Sequence, residues 1–266
     1  MQTVYTGTMA WAYDDWRGPF YARDTPSAKL LTEFARVFPT VELDTTTYGA
    51  PRESTLDSWY AQTPEGFLFS AKIPKAITHE RRLVNAAEAA LDFGHLLRAR
   101  LQEKLAAILI QLPPDFTADY RPTFDTFIQR ITDPRAADAP VPWVVEFRHA
   151  SWKDTDALGF LTKRGVHCAT TDRLDLGGPL RYVRLLGTEH SVARFDERQF
   201  DRSEELAAWA TRLDAARQEI PVDGRPLLVY ARNFFEGHSP ATLRVLREML
   251  GLPNVSPPGQ SQMSLF

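Results

Sequence analysis

The sequence contains one cysteine, Cys168, and no long apolar run. A single cysteine excludes an intrachain disulfide and any zinc site built on a CxxC pair. No stretch of about 18 consecutive apolar residues is present, and the opening MQTVYTGTMAW lacks a charged segment followed by an apolar one. Neither a membrane-spanning helix nor a secretory signal peptide is therefore indicated, and we expect a cytoplasmic protein.

Neither positive nor negative side chains are in large excess. Lys and Arg number 31 against 34 Asp and Glu, so any contact with nucleic acid must depend on a local basic patch. The motifs GxxxxGK[ST], GxGxxG and GxSxG are absent, which disfavours a P-loop kinase, a Rossmann oxidoreductase and a serine hydrolase. Cys168 lies in the middle of a predicted strand with no obvious histidine partner, which favours an inert core residue over a nucleophile.

The chain does contain short apolar runs that alternate with longer segments of helical period, a pattern typical of repeated βα units. The runs predict eight strands, near Val4–Trp11, Val41–Thr46, Phe67–Ile73, Leu105–Leu112, Trp143–Phe147, Val166–Thr171, Tyr182–Leu186 and Leu227–Ala231. Helices are predicted at Ala28–Phe38 with Ser27 as N-cap, and at Ser54–Ala61, Ala86–Gln102, Tyr120–Ile131, Thr155–Arg164, Glu204–Glu219 and Ala241–Leu250.

Eight strands with crossover helices predict an α/β fold, a TIM-barrel-like (β/α)8 barrel, as a single domain over residues 1–252. One connection does not fit the regular pattern. The segment DRLDLGGPL, between the sixth and seventh strands, is too short for an ordinary helical crossover. We therefore expect no helix between strands 6 and 7.

Polar residues follow most of the predicted strands, where a barrel of this kind places its active site. In VVEFRHASW, Glu146 and Arg148 lie on the same side of an extended strand. Equivalent positions elsewhere are Glu42, Asp44, Lys72, Gln111, Asp172, Arg184, Arg232 and Asn233. The basic residues Lys72, Arg148, Arg184 and Arg232, with His79, Arg81 and Arg82 of the segment THERR, indicate a site for an anion such as phosphate or carboxylate.

The acidic residues at these strand ends allow two interpretations. Glu42, Glu146 and Asp172 are candidates for general acid and base, or for ligands of a divalent metal. Glu42, Glu146 and Asp172 stand in no HxxE, HExxH or DxD spacing that would support the metal, so no cofactor is evident and a divalent metal stays an option. Alternatively, these charges pair with one another and close the mouth of the barrel.

Aromatic residues are concentrated in the loop WAYDDWRGPFY after the first strand. Trp11 and Tyr13, with Tyr48 on the next loop, are candidates to stack on a planar ring or a sugar. For Trp16 and Phe20, a hydrophobic plug at the barrel end is the favoured interpretation.

The motifs GTMAWAYDDWRGPFY, VELDTTTYGAP, TPEGFLFSAKIPKAITHERRL, ILIQLPPDF, VVEFRHASW, YVRLLG and VYARNFFEGHSPA occur in this order. Together they resemble the YecE-like family, domain of unknown function 72, from about Val4 to Leu250. The resemblance implies a TIM-barrel-like fold with a rim site and brings no established activity. The family positions it implies are Trp11, Tyr13, Trp16, Gly18, Glu42, Tyr48, Lys72, Thr78, His79, Arg81, Gln111, Pro113, Glu146, Arg148, Trp152, Asp172, Tyr182, Arg184, Gly187, Asn233, Gly237 and His238.

Two positions depart from the family pattern. Leu186 stands where many relatives resemble RLHG, so a mechanism that needs a histidine at this strand is in doubt. Ala231 and Arg232 stand where relatives often resemble FNN, which makes the end of the eighth strand more basic.

The end of the chain, PPGQSQMSLF, predicts a flexible tail over residues 253–266. QMSLF resembles the peptide by which bacterial proteins dock on the DNA polymerase sliding clamp. Such a peptide needs an amide and apolar anchors on a leash, which Gln262, Met263, Leu265 and Phe266 supply after Pro253–Ser261. The alternative is an apolar tail that folds back on the barrel.

We therefore expect an enzyme that acts on a phosphate-bearing substrate, nucleic acid or a nucleotide, and that is recruited to the sliding clamp. Glu146, Glu42, Asp172 and His79 are the candidate catalytic groups. Candidate substrate-binding residues are Trp11, Tyr13, Tyr48, Lys72, Arg81, Gln111, Arg148, Arg184, Arg232, Asn233 and His238. The alternatives are a lyase, isomerase or hydrolase for a small sugar phosphate or carboxylate, and a ligand-binding adaptor without activity.

Overall fold

Eight parallel strands form the central sheet of the protein. The structure, a computed structural model, describes residues 3–135, 140–219 and 226–259. The strands are β1 Val4–Met9, β2 Thr40–Leu43, β3 Leu68–Lys72, β4 Leu105–Gln111, β5 Trp143–Glu146, β6 His167–Thr171, β7 Tyr182–Leu185 and β8 Leu227–Ala231. They follow one another in chain order around a closed barrel. The predicted TIM-barrel-like α/β fold is confirmed.

Helices follow seven of the eight strands within the described residues. They are α1 Leu30–Ala35, α2 Glu53–Gln62, α3 Ala87–Leu101, α4 Arg121–Ile131, α5 Ala157–Thr162, α6 Ser203–Glu219 and α7 Ser239–Met249. Residues 172–181, between β6 and β7, contain turns and extended backbone only. The predicted absence of a helix between strands 6 and 7 is confirmed.

The first helix begins later than its sequence pattern indicates. Ser27 lies in a short 3-10 turn, and the position before α1 is Lys29, whose side chain makes no capping bond. The predicted N-cap at Ser27 is therefore wrong. The reason is that Pro26–Lys29 forms a tighter turn of its own, which delays the regular helix until Leu30.

The chain divides into two compact units. The first comprises the described parts of Met1–Glu42, Gln62–Phe67 and Val183–Phe266. In it β1 pairs with β2, with Met9 opposite Glu42, and with β8. Its core contains an aromatic cluster in which the Phe20 ring lies 5.6 Å from Trp16 and 5.9 Å from Phe38.

The second unit comprises Leu43–Ala61 and Leu68–Tyr182. Strands β3, β4, β5 and β6 pair in sequence, and Gln111 at the end of β4 lies opposite Glu146 at the end of β5. Trp152 packs against Phe147 with ring centroids 4.5 Å apart, and its indole N–H donates to the carbonyl of Phe116. This buried aromatic cluster fixes the loop that follows β5.

The first part of the C-terminal tail is packed against the first unit. The amide N–H of Gly259 donates to the carbonyl of Phe20 at 2.9 Å, and Pro257 and Gly259 are buried. Residues 253–259 are therefore not a free leash, because this segment is hydrogen-bonded to Phe20 and partly buried. Composition alone does not indicate these contacts. Gln262, Met263, Leu265 and Phe266 lie outside the described residues.

Among the residues described, the structure contains no helix with the length and apolar character needed to cross a membrane.

Candidate functional site

Lys72 ends strand β3 and has a largely buried side chain. Its ammonium lies 3.7 Å from the Asp44 carboxylate, which is about half exposed. The Thr46 hydroxyl contacts the backbone carbonyls of Lys72, at 2.6 Å, and Leu43, at 2.8 Å. The 3-10 turn Thr45–Tyr48 that follows β2 is thereby tied to the end of β3.

His79 lies on a π-helical turn, Ala76–Glu80, that follows β3. Its Nδ1 is 2.8 Å from the hydroxyl of Thr78, which leaves Nε2 for other partners. Burial lowers the pKa of His79 below its ordinary value of 6.5, and the charges of Lys72 and Arg148 lower it further. Asp115 acts in the opposite direction but does not reverse the shift. His79 is therefore a neutral imidazole at neutral pH.

Arg82 follows this turn in a left-handed backbone conformation, with a φ of 47°. Its guanidinium donates to the Asp115 carboxylate at 3.0 Å and to the Asp115 carbonyl at 3.1 Å. The same guanidinium lies 4.4 Å from the ring centroid of Tyr120 and 5.5 Å from that of Phe116. These contacts hold a cation in a fixed place near His79, whose pKa it also lowers.

Arg148 lies two residues beyond the end of β5 and is half-buried. It makes no ion pair with any residue that the structure describes, yet its charge reaches His79. Lys72, His79, Arg82 and Arg148 are called the basic cluster below. Arg148 gives this cluster a positive charge that no carboxylate among the described residues compensates.

Glu146 and Gln111 form a buried pair at the ends of β5 and β4. The Gln111 amide donates to the Glu146 carboxylate at 2.8 Å. Glu146 also affects Cys168: burial, followed by the negative charges of Glu146 and Asp175, raises the pKa of the thiol to about 12. A thiol with so high a pKa is a poor nucleophile, as the sequence suggested for Cys168.

Glu42 and Arg184 form a buried, two-pronged ion pair in the first unit. The guanidinium donates to both carboxylate oxygens, at 3.0 and 2.7 Å, and contacts the sulfur of Met9. Both side chains are nearly inaccessible, with 0% of Glu42 and 4% of Arg184 exposed. For these two residues the geometry favours the charge-pairing alternative over an open acid, base or anion-binding role.

The aromatic residues of the first loop differ in how far they are buried. Trp16 and Phe20 are fully buried and belong to the hydrophobic cluster. Trp11 and Tyr13 are half-buried, and the Tyr13 hydroxyl donates to the carbonyl of Met9. Tyr48 is 83% exposed, with the Lys75 ammonium 5.5 Å from its ring centroid.

The residues after β8 have structural partners. Arg232 pairs with Glu189 at 2.7 Å and lies over the Phe234 ring. Asn233 accepts hydrogen bonds from the amide and hydroxyl of Ser239, which begins α7. His238 is buried with its ring 6.0 Å from that of Trp16, and burial lowers its pKa to about 4. Asn233 and His238 are thus too buried to meet a substrate from solvent.

Two further candidates lie outside the basic cluster. Arg81 is exposed, and its neighbour Arg82 makes the contacts near His79 instead. Asp172 is half-buried in the turn after β6. Asp115, which binds Arg82, is not among the residues predicted from the sequence, although the turn LPPDF after β4 was an available signal.

No group of three or more His, Cys, Asp or Glu side chains placed to hold a metal ion occurs among residues 3–135, 140–219 and 226–259. Glu42 in particular has both oxygens bound by Arg184. The proposed metal ligands Glu42, Glu146 and Asp172 gain no support from this arrangement.

Comparison with curated proteins finds two relatives of similar description. The chain is 31% identical over 183 residues to the UPF0759 protein YunF of Bacillus subtilis, covering 65% of this chain and 62% of that protein. It is 25% identical over 173 residues to the UPF0759 protein YecE of Escherichia coli K12, covering 65% and 58%. The chain therefore spans about three fifths of the length of these relatives.

Solved structures show the same fold at low sequence identity. A DUF72 family protein from Enterococcus faecalis V583 superposes with a TM-score of 0.71 at 19% identity, covering 96% of this chain and 98% of that one. A D-allulose 3-epimerase from Methylomonas sp. reaches a TM-score of 0.50 at 15% identity, covering 100% and 98%.

The family model described as "Protein of unknown function DUF72" matches residues 5–263, nearly the whole chain. Its span includes both the Glu42–Arg184 pair and the basic cluster. The chain therefore belongs to the DUF72 family.

Proposed function

We propose that the protein is an enzyme that acts on a phosphate-bearing substrate, nucleic acid or a nucleotide, at the basic cluster. The observation that supports this most directly is a neutral histidine placed among three cations. Lys72, Arg148 and Arg82 each lower the pKa of His79. Cations gathered without equal negative charge are the usual means of binding phosphate.

The roles of the residues follow from their contacts. Arg148 has no carboxylate partner among the described residues, so its guanidinium can bind two phosphate oxygens at once. Lys72 supplies a second positive charge as negative charge develops on the phosphate. Arg82 is held by Asp115 and the aromatic rings, so it acts mainly through the electrostatic effect of its positive charge on the site.

His79 is the group we assign to proton transfer. Thr78 occupies its Nδ1, so Nε2 is the atom that exchanges a proton with the substrate or with an attacking water. A neutral imidazole is in the form that can accept this proton, and bound phosphate would stabilise the imidazolium that results. Glu42 is not assigned this role because Arg184 binds both of its oxygens.

The test is turnover of a panel of phosphate compounds by the purified full chain. The panel contains single- and double-stranded oligonucleotides, nucleotides and small sugar phosphates. We expect turnover of a nucleic acid or nucleotide that falls about 100-fold or more in His79→Gln and about tenfold or more in Arg148→Gln. The controls His95→Gln and Arg98→Gln change exposed residues of α3 and should retain activity.

Each other outcome of this panel is informative. Activity that survives His79→Gln contradicts the assignment of His79. Turnover of sugar phosphates alone would favour the alternative of small-metabolite chemistry. Binding of phosphate compounds without turnover would favour the non-enzymatic adaptor.

We further propose that the C-terminal peptide recruits the protein to the bacterial sliding clamp. The support is the sequence Gln262-Met263-Ser264-Leu265-Phe266 alone. The test is fluorescence anisotropy of the labelled full chain with purified clamp, beside the double variant Leu265→Ala, Phe266→Ala. Saturable binding that the double variant loses is expected, and no binding at micromolar clamp would contradict recruitment.

A further inference from the structure

The segment Pro253–Gly259 is held at both ends although it contains neither helix nor strand. At its start, the Arg247 guanidinium donates to the carbonyl of Pro253, and the Asn254 amide donates to the carbonyl of Arg244 at 3.0 Å. At its end, the Gly259 N–H donates to the carbonyl of Phe20 at 2.9 Å. Both anchors lie within the first unit.

Glycine is required at position 259 by close approach of backbone atoms. A Cβ added to Gly259 would lie 2.6 Å from the carbonyl oxygen of Gly18 and 2.7 Å from that of Tyr21. Real Cβ atoms do not come so near to other heavy atoms, and neither oxygen belongs to a flexible side chain. Any other residue at this position must therefore move the segment or the loop.

The loop under Gly259 leads directly to the end of β1. The Gly18 N–H donates to the carbonyl of Tyr21 at 2.7 Å, which closes a tight turn. The hydroxyl of Tyr21 in turn donates to the carbonyl of Trp11 at 2.7 Å. Gly259 is thus hydrogen-bonded to Phe20, whose chain neighbour Tyr21 is hydrogen-bonded to Trp11.

We propose that Pro253–Gly259 is a strap that fastens the loop Trp11–Tyr21 and so sets the backbone position of Trp11 beyond β1. Trp16 and Phe20 hold the loop by packing in the aromatic cluster, and the strap holds it through the hydrogen bond from Gly259 to Phe20. Neither the family resemblance nor the clamp-like peptide assigns a role to these seven residues. The strap does not depend on the identity of the substrate.

The test is amide hydrogen exchange, followed by mass spectrometry, on the full chain. Gly259→Ala should speed exchange in peptides covering residues 11–25 by about tenfold or more, because the added methyl group lifts the strap from the loop. Ser256→Ala, at an exposed position of the same strap, is the matched control and should leave exchange unchanged. Peptides from α3 should not change in either variant.

A second variant covers the other anchor. Asn254→Ala removes the amide that bonds Arg244 and should also speed exchange in residues 11–25, by a smaller factor. Deletion of residues 260–266 alone should leave the loop as protected as in the full chain. If Gly259→Ala and Asn254→Ala both leave exchange in the loop unchanged, the strap does not fasten it and the proposal is overturned.

Discussion

Glu42 and Arg184 form a buried ion pair, so substitution of one residue alone should destabilise the folded protein. Removal of one partner leaves the other as a buried charge without its counterion, which typically destabilises a protein by about 3 to 5 kcal/mol. We expect Arg184→Met to lower the free energy of unfolding by this amount, measured by urea denaturation at pH 7. Replacement of both residues by apolar ones should recover much of the loss, because no buried charge then remains.

The half-exposed pair of Arg232 and Glu189 is a suitable control. Its side chains are 32% and 46% exposed, so Arg232→Met should cost less than about 1 kcal/mol. Equal losses in Arg184→Met and Arg232→Met would contradict the view that burial makes the first pair important.

His238 makes the stability of the fold depend on pH. Burial lowers its pKa from 6.5 to about 4, so the unfolded chain binds the proton more readily than the folded one. Stability is therefore highest above pH 6.5 and falls as the pH is lowered toward 4. The loss from this group between pH 7.5 and 4.5 is about 2 to 3 kcal/mol.

The measurement is urea denaturation at several pH values between 7.5 and 4.5. His238→Phe keeps a ring beside Trp16 and removes the titration, so its stability should fall less steeply with acid. Identical slopes for the two proteins would show that His238 does not titrate in this way.

At the scale of elements, the link between the turn Thr45–Tyr48 and strand β3 depends on one hydroxyl. Thr46→Val keeps the shape of the side chain and removes its contacts with the carbonyls of Lys72 and Leu43. We expect a loss of about 1 kcal/mol in unfolding free energy. Phosphate affinity should also weaken, because the end of β3 that carries Lys72 is less firmly held.

Isothermal titration with phosphate and urea denaturation together check this prediction. Thr47→Val, on the same turn, is the control, because among the described residues the Thr47 hydroxyl bonds only Asp44, at 3.3 Å. A Thr46→Val protein with full stability and full phosphate affinity would contradict the role given to the hydroxyl.

The strands and most helices could be predicted because their signals are local. A run of apolar residues and a helical period need no knowledge of distant contacts, and the short DRLDLGGPL segment excluded a helix by length alone. The ends of elements were less predictable. Ser27 can either cap an α-helix or take part in a 3-10 turn, and these two conformations differ by only a small free energy.

The site was only partly predictable. The sequence shows which residues are charged, but it does not show which of them pair in the folded chain. Lys72, His79 and Arg148 are predictable from their places at or after the ends of strands. The sequence does not indicate that Arg184 binds Glu42, or that Arg82 and not Arg81 makes the contacts near His79. Both depend on how the side chains pack in the folded chain.

At the scale of the whole molecule, the strap changes the reach of the C-terminal peptide. Two residues, Gln260 and Ser261, lie between Gly259 and Gln262, and the three residue steps allow about 10 Å of extended chain. A clamp bound at Gln262 would therefore lie close to the loop that Gly259 covers. We expect insertion of six Gly and Ser residues after Gly259 to tighten clamp binding by about three- to tenfold, because the partner no longer crowds this loop.

Fluorescence anisotropy with purified clamp measures this change. The same insertion placed after Leu252 is the control, since it lies before the strap and leaves the spacing from Gly259 to Gln262 unchanged. If the two insertions had the same effect, the strap would not limit the reach of the peptide.

The most direct test of the basic cluster is the titration of His79 by NMR, with and without inorganic phosphate. Without phosphate we expect a pKa below 6.5, because burial and the cations disfavour the imidazolium. Bound phosphate should raise this pKa, since its negative charge favours the protonated ring. In Arg148→Gln, the pKa without phosphate should already be higher and the rise with phosphate smaller. A pKa of His79 that phosphate leaves unchanged would contradict an anion site at the basic cluster.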